Sequence, residues 1–298
     1  MNTKYNILII KHGSFGDLIR AGFIINAIKK FHKNSNLILL TSNIYSSLMK
    51  KNPDIKDVVI DNRESFFNIS YLMKLRKQIL AYKFKLIYDL QNSQRTYLYK
   101  KFLLSNHKWI TTNREKHPIS GLRGLADMLK REKVSNLKTF ISDISWLSTD
   151  VNKILLKENI KKKYILLIPG SSKKNESKRW PYYADLIKIL LKKKYEVLSI
   201  LGPQEIDMER SLPGKVIKNL NWEELAGLIE KSFFIIANDT GPIHIAACFR
   251  KPGLIFFGPT SPERTELNLK NFIRLRSNNL KEIKPETVYK KFLKNKLT

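Results

Sequence analysis

Two turns in this chain hold residue types whose spacing could do chemistry: Asn238-Asp239-Thr240-Gly241-Pro242, and His12-Gly13-Ser14-Phe15-Gly16-Asp17. Around the first, the apolar run Phe233 to Ala237 is too short for a helix and reads as a buried strand that ends in a turn. Pro242 to Phe249 suit a helix, with Asp239 and Thr240 able to cap it and Pro242 in its first turn. Leu254 to Phe257, set between Pro252-Gly253 and Gly258-Pro259, reads as the next strand. Such a unit leaves the free N–H groups of the helix at the carboxyl end of a strand, where donors and dipole favour an anion. Gly241 removes the side chain where a phosphate would approach the backbone. The same turn is also consistent with a well-capped helix start and nothing more; the loop Gly258-Pro259-Thr260-Ser261-Pro262, leaving the neighbouring strand at the same end, favours a site. Asp17 follows a Gly-containing turn at the carboxyl end of the first strand, where α/β sheets place ligands. A carboxylate there could accept a proton, or serve only as a helix cap or first-turn acid.

The elements that must position these turns alternate along the chain. Strands are expected at Asn6 to Lys11, Asn36 to Thr41, Val58 to Asp61, Leu86 to Leu90 and Trp109 to Thr112. Helices fall from Leu18 onward, where Leu18, Ala21, Ile24, Ile25 and Ile28 share one face, and near Ser46 to Lys51, Tyr71 to Tyr82 and Leu122 to Arg131. The alternation breaks between Asp143 and Lys163, which sets a boundary dividing the chain into 1–155 and 156–298. It resumes with a strand at Tyr164 to Ile168, a polar loop from Pro169 to Trp180, a helix at Tyr182 to Lys192, a strand at Glu196 to Leu201 and a helix at Trp222 to Lys231. The tail, Leu280 to Leu297, reads as a basic helix. Strands alternating with helices predict α/β halves, each a parallel sheet wrapped on both faces.

Composition narrows the class. The 298 residues carry 55 Lys and Arg against 26 Asp and Glu, a formal charge of +29. That field attracts nucleic acid, anionic lipid or phosphorylated substrates; richness in Lys, Asn and Ile also fits plain genome composition. Zinc-finger spacing, an aromatic ribonucleoprotein motif and sustained heptads are all missing, so nucleic acid is not expected as a partner. The single cysteine, Cys248, allows no intramolecular disulfide and fits a reducing compartment. No stretch approaches the roughly 20 apolar residues of a membrane span, and the amino-terminal run is too short for a secretory core. A cytoplasmic protein is expected. HExxH, paired CxxC and DxD motifs are absent as well, so neither a metal nor another cofactor is expected.

Asn238 to Ala247, followed by Gly258-Pro259-Thr260-Ser261-Pro262, resembles the nucleotide-sugar-binding signature of the ADP-heptose:lipopolysaccharide heptosyltransferase family, the glycosyltransferases of family 9. The resemblance spans both halves and is good from Ile7 to Ile28. It implies a GT-B architecture, two facing Rossmann-like domains with parallel sheets: an acceptor-side domain, then a nucleotide-sugar-binding domain with a carboxyl-terminal helix. It further implies an inverting transfer, with heptose from ADP-heptose passing to a lipopolysaccharide-core or related glycan.

The resemblance also assigns roles. Lys11 and Gly13 to Asp17 match the amino-terminal motif whose Asp acts as general base on the acceptor hydroxyl. Lys178, before Arg179-Trp180-Pro181, matches the cation facing the leaving diphosphate, with Lys173, Lys174 and Arg179 as competitors. Ser171 and Ser172 resemble a hydroxyl pair touching phosphate, Glu205 an acid on the ribose, and His244 a residue of the same donor pocket beside Asp239, Thr240 and Gly241. Asp89, Gln91 and Arg95 resemble an acceptor-facing motif, to which His117 also could belong. The expected partners are thus a nucleotide-sugar donor, a glycolipid or phosphorylated glycan acceptor and an anionic membrane surface, met by a monomer at the inner face of the cytoplasmic membrane. Two other classes stay open: a basic nucleic-acid- or membrane-binding protein on an inactive scaffold, and a nucleotide-sugar epimerase.

Overall fold

The computed structural model describes residues 4–112, 121–134, 142–258 and 271–295. The chain divides into two compact units between Trp146 and Leu147. In the first, β1 (Tyr5–Ile10), α1 (Phe15–Phe31), β2 (Ser35–Thr41), α2 (Asn43–Met49), β3 (Ile55–Ile60), α3 (Ile69–Leu80) and β4 (Phe84–Asp89) alternate strictly. Then come α4 (Gln94–Leu98), which runs on into a π-helical turn (Tyr99–Leu103), β5 (Lys108–Thr111) and α5 (Leu122–Arg131). The sheet is parallel, in the order β3-β2-β1-β4-β5. Its central strand is apolar on both sides because it is covered on both sides. Ile7 and Ile9 join the core beneath α1 and α5, whereas Leu8 and Ile10 join the core beneath α3 and the π turn.

The second unit holds α6 (Asn152–Lys157), β6 (Tyr164–Ile168), α7 (Tyr183–Lys192), β7 (Glu196–Leu201), β8 (Lys215–Lys218), α8 (Trp222–Lys231) and β9 (Phe234–Asn238). It continues with α9 (Pro242–Cys248), β10 (Gly253–Phe257), β11 (Phe272–Arg276) and α10 (Pro285–Asn295). This sheet too is parallel, in the order β11-β10-β9-β6-β7-β8. Trp180 stacks on Phe256 with ring centroids 4.4 Å apart and donates its indole N–H to Ile283 O at 2.8 Å. That contact ties the loop after β6 to the sheet and to the chain leading into α10.

Four elements were not legible beforehand, among them α6, which lies in the stretch where the alternation breaks. β8 and β11 are edge strands, Lys-Val-Ile-Lys and Phe-Ile-Arg-Leu-Arg, whose polar residues break the apolar run that marks a central strand. The short α4 has little apolar periodicity and depends on its start, where Ser93 Oγ accepts from Thr96 N at 3.3 Å. The division at Trp146 also lies ahead of the 155/156 boundary read from the sequence. The intervening segment packs on α8: a Cβ on Gly227 would fall 2.4 Å from Thr149 O, and Lys231 Nζ pairs with Asp150 Oδ1 at 2.9 Å.

Candidate functional site

In the first sheet the chain order reverses between β1 and β4, since β2 and β3 build outward from one side and β5 from the other. Loops diverge at such a point and leave a crevice at the strands' carboxyl ends. Lys11 sits there, 3% exposed, its Nζ donating to Leu90 O at 3.3 Å across the crevice. Burial lowers its pKa, opposed by the charge of Asp17. The turn then passes through Gly13 at φ 127°, where a Cβ would also lie 2.5 Å from the Tyr45 ring; both facts call for glycine.

Asp17 is the third residue of α1, not the residue before it. Its Oδ2 accepts from Ser14 N at 3.3 Å and Ser14 Oγ at 3.2 Å, and its Oδ1 accepts from Arg20 Nη2 at 2.6 Å. The two readings of Asp17 are compatible, because a side chain that ties down the helix start is still 35% exposed. Burial works to raise its pKa, but Lys11, Arg20 and the hydrogen bonds outweigh that and hold it below the usual carboxylate range. It is ionised at neutral pH and reachable.

The residues after β4 close this crevice. Asp89 is buried, and its Oδ1 accepts from Gln91 N at 3.0 Å and Asn92 N at 2.8 Å. Burial pushes its pKa up in spite of those bonds. Gln91 Oε1 accepts from His12 N at 3.1 Å, joining the turns after β1 and β4. Arg95 points elsewhere. Its Nε and Nη2 each donate to Asp61 at 3.1 Å, its Nη1 to Glu64 O at 2.7 Å, and its guanidinium lies 4.9 Å from the Phe66 ring centroid.

Asp61 is the residue that sequence reasoning passed over. It is fully buried just past β3, with His12 Nε2 2.8 Å from its Oδ2, and accepts from Tyr71 Oη at 2.7 Å, Tyr99 Oη at 2.5 Å and Arg63 N at 2.7 Å, besides Arg95. Burial opposes its charge, but these donors hold its pKa far below the usual range. The partners come from β1's turn, α3 and the π turn, so no local spacing announces them. His117 and residues 259–262 of the second glycine-proline loop lie outside the described residues.

In the second sheet the reversal lies between β6 and β9. Asn238 spans it, fully buried: its Nδ2 donates to Pro169 O at 2.7 Å, and its Oδ1 accepts from Trp180 N at 3.1 Å and Tyr183 Oη at 3.2 Å. Lys178, at the end of the 3₁₀ segment Lys173–Lys178, reaches Asp239 Oδ2 at 3.0 Å and Asp239 O at 3.3 Å. Asp239 and Thr240 therefore do not cap α9 as expected. Gly241 occupies the cap position with no side-chain bond, and Thr240 Oγ1 turns back to Asn238 O at 3.4 Å. The Asp239 carboxylate meets a full positive charge, the Lys178 ammonium 3.0 Å away, whereas the start of α9 offers it only backbone dipoles. Gly241 itself has helical angles, φ −50° and ψ −47°, so its backbone does not require glycine.

Among the competing cations, Lys178 faces the turn after β9, whereas Arg179 is engaged with its own loop. Arg179 Nη2 donates to Ser171 O at 2.7 Å, and its Nη1 pairs with Glu176 at 3.5 Å. Ser171 is buried, and its Oγ donates to Asn175 O at 2.9 Å; Ser172 is exposed and accepts from Asn175 Nδ2 at 2.8 Å. Lys173 donates its backbone N–H to Gln204 Oε1 at 3.4 Å. Glu205 lies across the ends of β6 and β7, accepting from Gly202 N at 2.6 Å, and a Cβ on Gly170 would meet its carboxylate at 2.1 Å. His244, half-buried in the first turn of α9, donates its backbone N–H to Gly241 O at 3.1 Å. Among the described residues no group of three His, Cys, Asp or Glu side chains could hold a metal ion.

The family model of glycosyltransferase family 9 (heptosyltransferase) matches residues 129–296. The lipooligosaccharide heptosyltransferase 2 of Haemophilus influenzae is 24% identical over 297 residues, covering 87% of this chain and 85% of its own. The fold is that of a Veillonella parvula glycosyl transferase of family 9, with TM-score 0.81 and 17% identity over 100% and 99% of the two chains. It is also that of the Escherichia coli heptosyltransferase WaaC solved with ADP, with TM-score 0.76 and 16% identity over 97% and 99%.

Proposed function

Because the chain belongs to glycosyltransferase family 9, we propose that it transfers a heptose from ADP-heptose, with inversion, to a lipopolysaccharide-core or related glycan acceptor. The observation that carries the assignment of roles is Asp17, an ionised carboxylate still open to solvent beside buried Lys11 at the crevice of the first sheet. In this reading Asp17 takes the proton of the acceptor hydroxyl as that oxygen attacks the anomeric carbon. The bond to the nucleoside diphosphate breaks on the opposite face, and the electron pair leaves with the diphosphate. Lys178, held by Asp239 until a phosphate offers a second anion, neutralises the developing charge. Thr240 and Gly241 present backbone to the phosphates, Ser171 and Ser172 shape the loop opposite, and Glu205 meets the ribose hydroxyls, with His244 alongside. Asp89 and Gln91 shape the acceptor side, while Arg95 braces it through Asp61. Lysine and backbone donors supply what a divalent ion supplies elsewhere, so the reading includes no cofactor.

The acceptor in this reading is a glycolipid, met by a monomer at the inner face of the cytoplasmic membrane. The charge of +29 supports an anionic surface as partner, and among the described residues no helix is long and apolar enough to cross a membrane. A thermal-shift panel of ADP-, UDP- and GDP-sugars tests the donor, because a ligand that binds the native state raises its apparent stability. ADP-heptose is expected to give the largest shift and Lys178→Gln to remove most of it. A larger shift with a UDP- or GDP-sugar would reject ADP-heptose, and an undiminished shift in Lys178→Gln would free Lys178 of its role.

A further inference from the structure

α3 carries apolar side chains on both of its sides. Leu72, Leu75 and Ile79 enter the core, but Ile69 and Met73, four residues apart, point outward at 63% and 55% exposure. Phe67, just before the helix, is 95% exposed. The segment that packs beside α3 on the same sheet face, tied to it by Arg76 Nε donating to Leu103 O at 2.9 Å, adds Tyr97 and Phe102 at 49% and 64%. Lys74 and Lys77 on α3 and Lys100 and Lys101 on the π turn stand exposed among them, with Lys101 Nζ 5.2 Å over the Phe102 ring. Between residues 62 and 108 there are ten Lys and Arg against two acids, Glu64 and the buried Asp89.

We infer that this surface seats on the anionic headgroups of a lipid bilayer, with Phe67 and Phe102 at the headgroup–acyl boundary and the lysines on the phosphates. The combination selects the partner. Duplex nucleic acid, with its bases stacked inside, or an acidic protein would satisfy the lysines but leave Phe67 in water, and a second copy of the same face would set lysine against lysine across a two-fold axis. A bilayer surface takes both, because projecting aromatics sink a few ångströms while lysine stems lie along apolar surface and keep their charge at the phosphates. The surface adjoins the acceptor side of the first unit. Phe66 stacks on the Arg95 guanidinium, Arg95 holds Asp61, and Asp61 holds His12, next to Lys11.

This inference rests on the reading of the acceptor as a membrane glycolipid, but lipid binding is measured without transfer, so the two can fail separately. The test is flotation with phosphatidylglycerol-containing and pure phosphatidylcholine vesicles, using the wild type, Phe67→Ser/Phe102→Ser and Lys100→Glu/Lys101→Glu, each checked for an unchanged thermal transition. The wild type is expected on the phosphatidylglycerol vesicles only, and to be released as salt shortens screening below about 8 Å. Loss of a basic residue at the membrane surface lowers partition about fivefold, so the lysine variant should fall by tenfold or more; the aromatic variant should fall by about tenfold. Transfer to a delipidated acceptor should be unchanged in both variants, and transfer to the vesicle-embedded acceptor reduced. Absence of wild-type binding at low salt, variants that partition like the wild type, or a concentration-dependent dimer dissolved by Phe67→Ser/Phe102→Ser would each overturn the inference. Lipid binding that behaves as expected with no transfer to any glycolipid would leave the docking surface standing and reject the proposed acceptor.

Discussion

At the reversal of the first sheet the crevice is spanned by a lysine, Lys11, with the charges of Asp17 and Asp89 acting on it; at that of the second it is spanned by a neutral amide, Asn238, with the Lys178–Asp239 pair beside it. The topological position is the same, and so is the task of holding two diverging loops. The difference lies in what burial does to each spanning group. Asn238 satisfies its amide with backbone and hydroxyl partners and leaves no field behind, so it fixes the loops around whatever charge the ligand brings. Lys11 is a buried charge, and burial opposes its protonation. Its presence depresses the pKa of Asp17, keeping that carboxylate ionised. The first crevice is built to hold charge of its own; the second is built to receive it.

The comparison breaks most visibly at Asp17. Asp17→Asn keeps the acceptor oxygen for Ser14 but cannot take up a proton, so transfer should fall by about 10²- to 10⁴-fold. The ADP-heptose thermal shift should persist, since the second unit is untouched. Near-normal turnover on the right acceptor would leave Asp17 as a helix-start residue only.

Asp61→Ala comes next. It strands Arg95 and His12 in the interior, and breaking a buried pair in this way costs about 3–5 kcal/mol, readable by urea denaturation. The pH dependence follows from the sign of the shift. Asp61 is held far below its unfolded value of about 3.9, so its contribution is fully present above that pH and is lost as the pH falls below it. Asp61→Asn should therefore be less stable than wild type at neutral pH and lose less stability on acidification. Parallel acid profiles for the two proteins would mean that the carboxylate's charge is not what the network stabilises.

The smallest expected effect is Asn238→Ala. It leaves the Trp180 N–H and Pro169 C=O without their buried partner, at about 1–3 kcal/mol, and no charge is stranded. A loss as large as that of Asp61→Ala would erase the contrast between the two crevices.

Both parallel sheets were legible because their inner strands are continuous apolar runs bounded by turns, too short for helices and alternating with longer helical segments. Edge strands β8 and β11 were not, because one side of each is free to be polar. Asp17 and the Asn238–Gly241 turn stood out in advance because each follows the carboxyl end of a strand, a position that local pattern fixes, whereas Lys178, ten residues past β6, was named only by its resemblance to the family's lysine before Trp-Pro. What the sequence could not say is which partner each would choose. Asp239 was expected to cap α9 and instead holds Lys178, from a loop 61 residues earlier, because folding brings a full positive charge within reach of a carboxylate to which the helix start offers only backbone dipoles. Asp61 read as the end of a strand, and only the packing of α3 and the π turn against β1's loop makes it the most heavily bonded carboxylate among the described residues. The sequence by itself determined where backbone ends and charge begins, because hydrophobic periodicity is local. The tertiary structure alone decided which charges meet, because hydrogen bonds and ion pairs form at 3 Å, a distance set by sheet order and not by position in the chain.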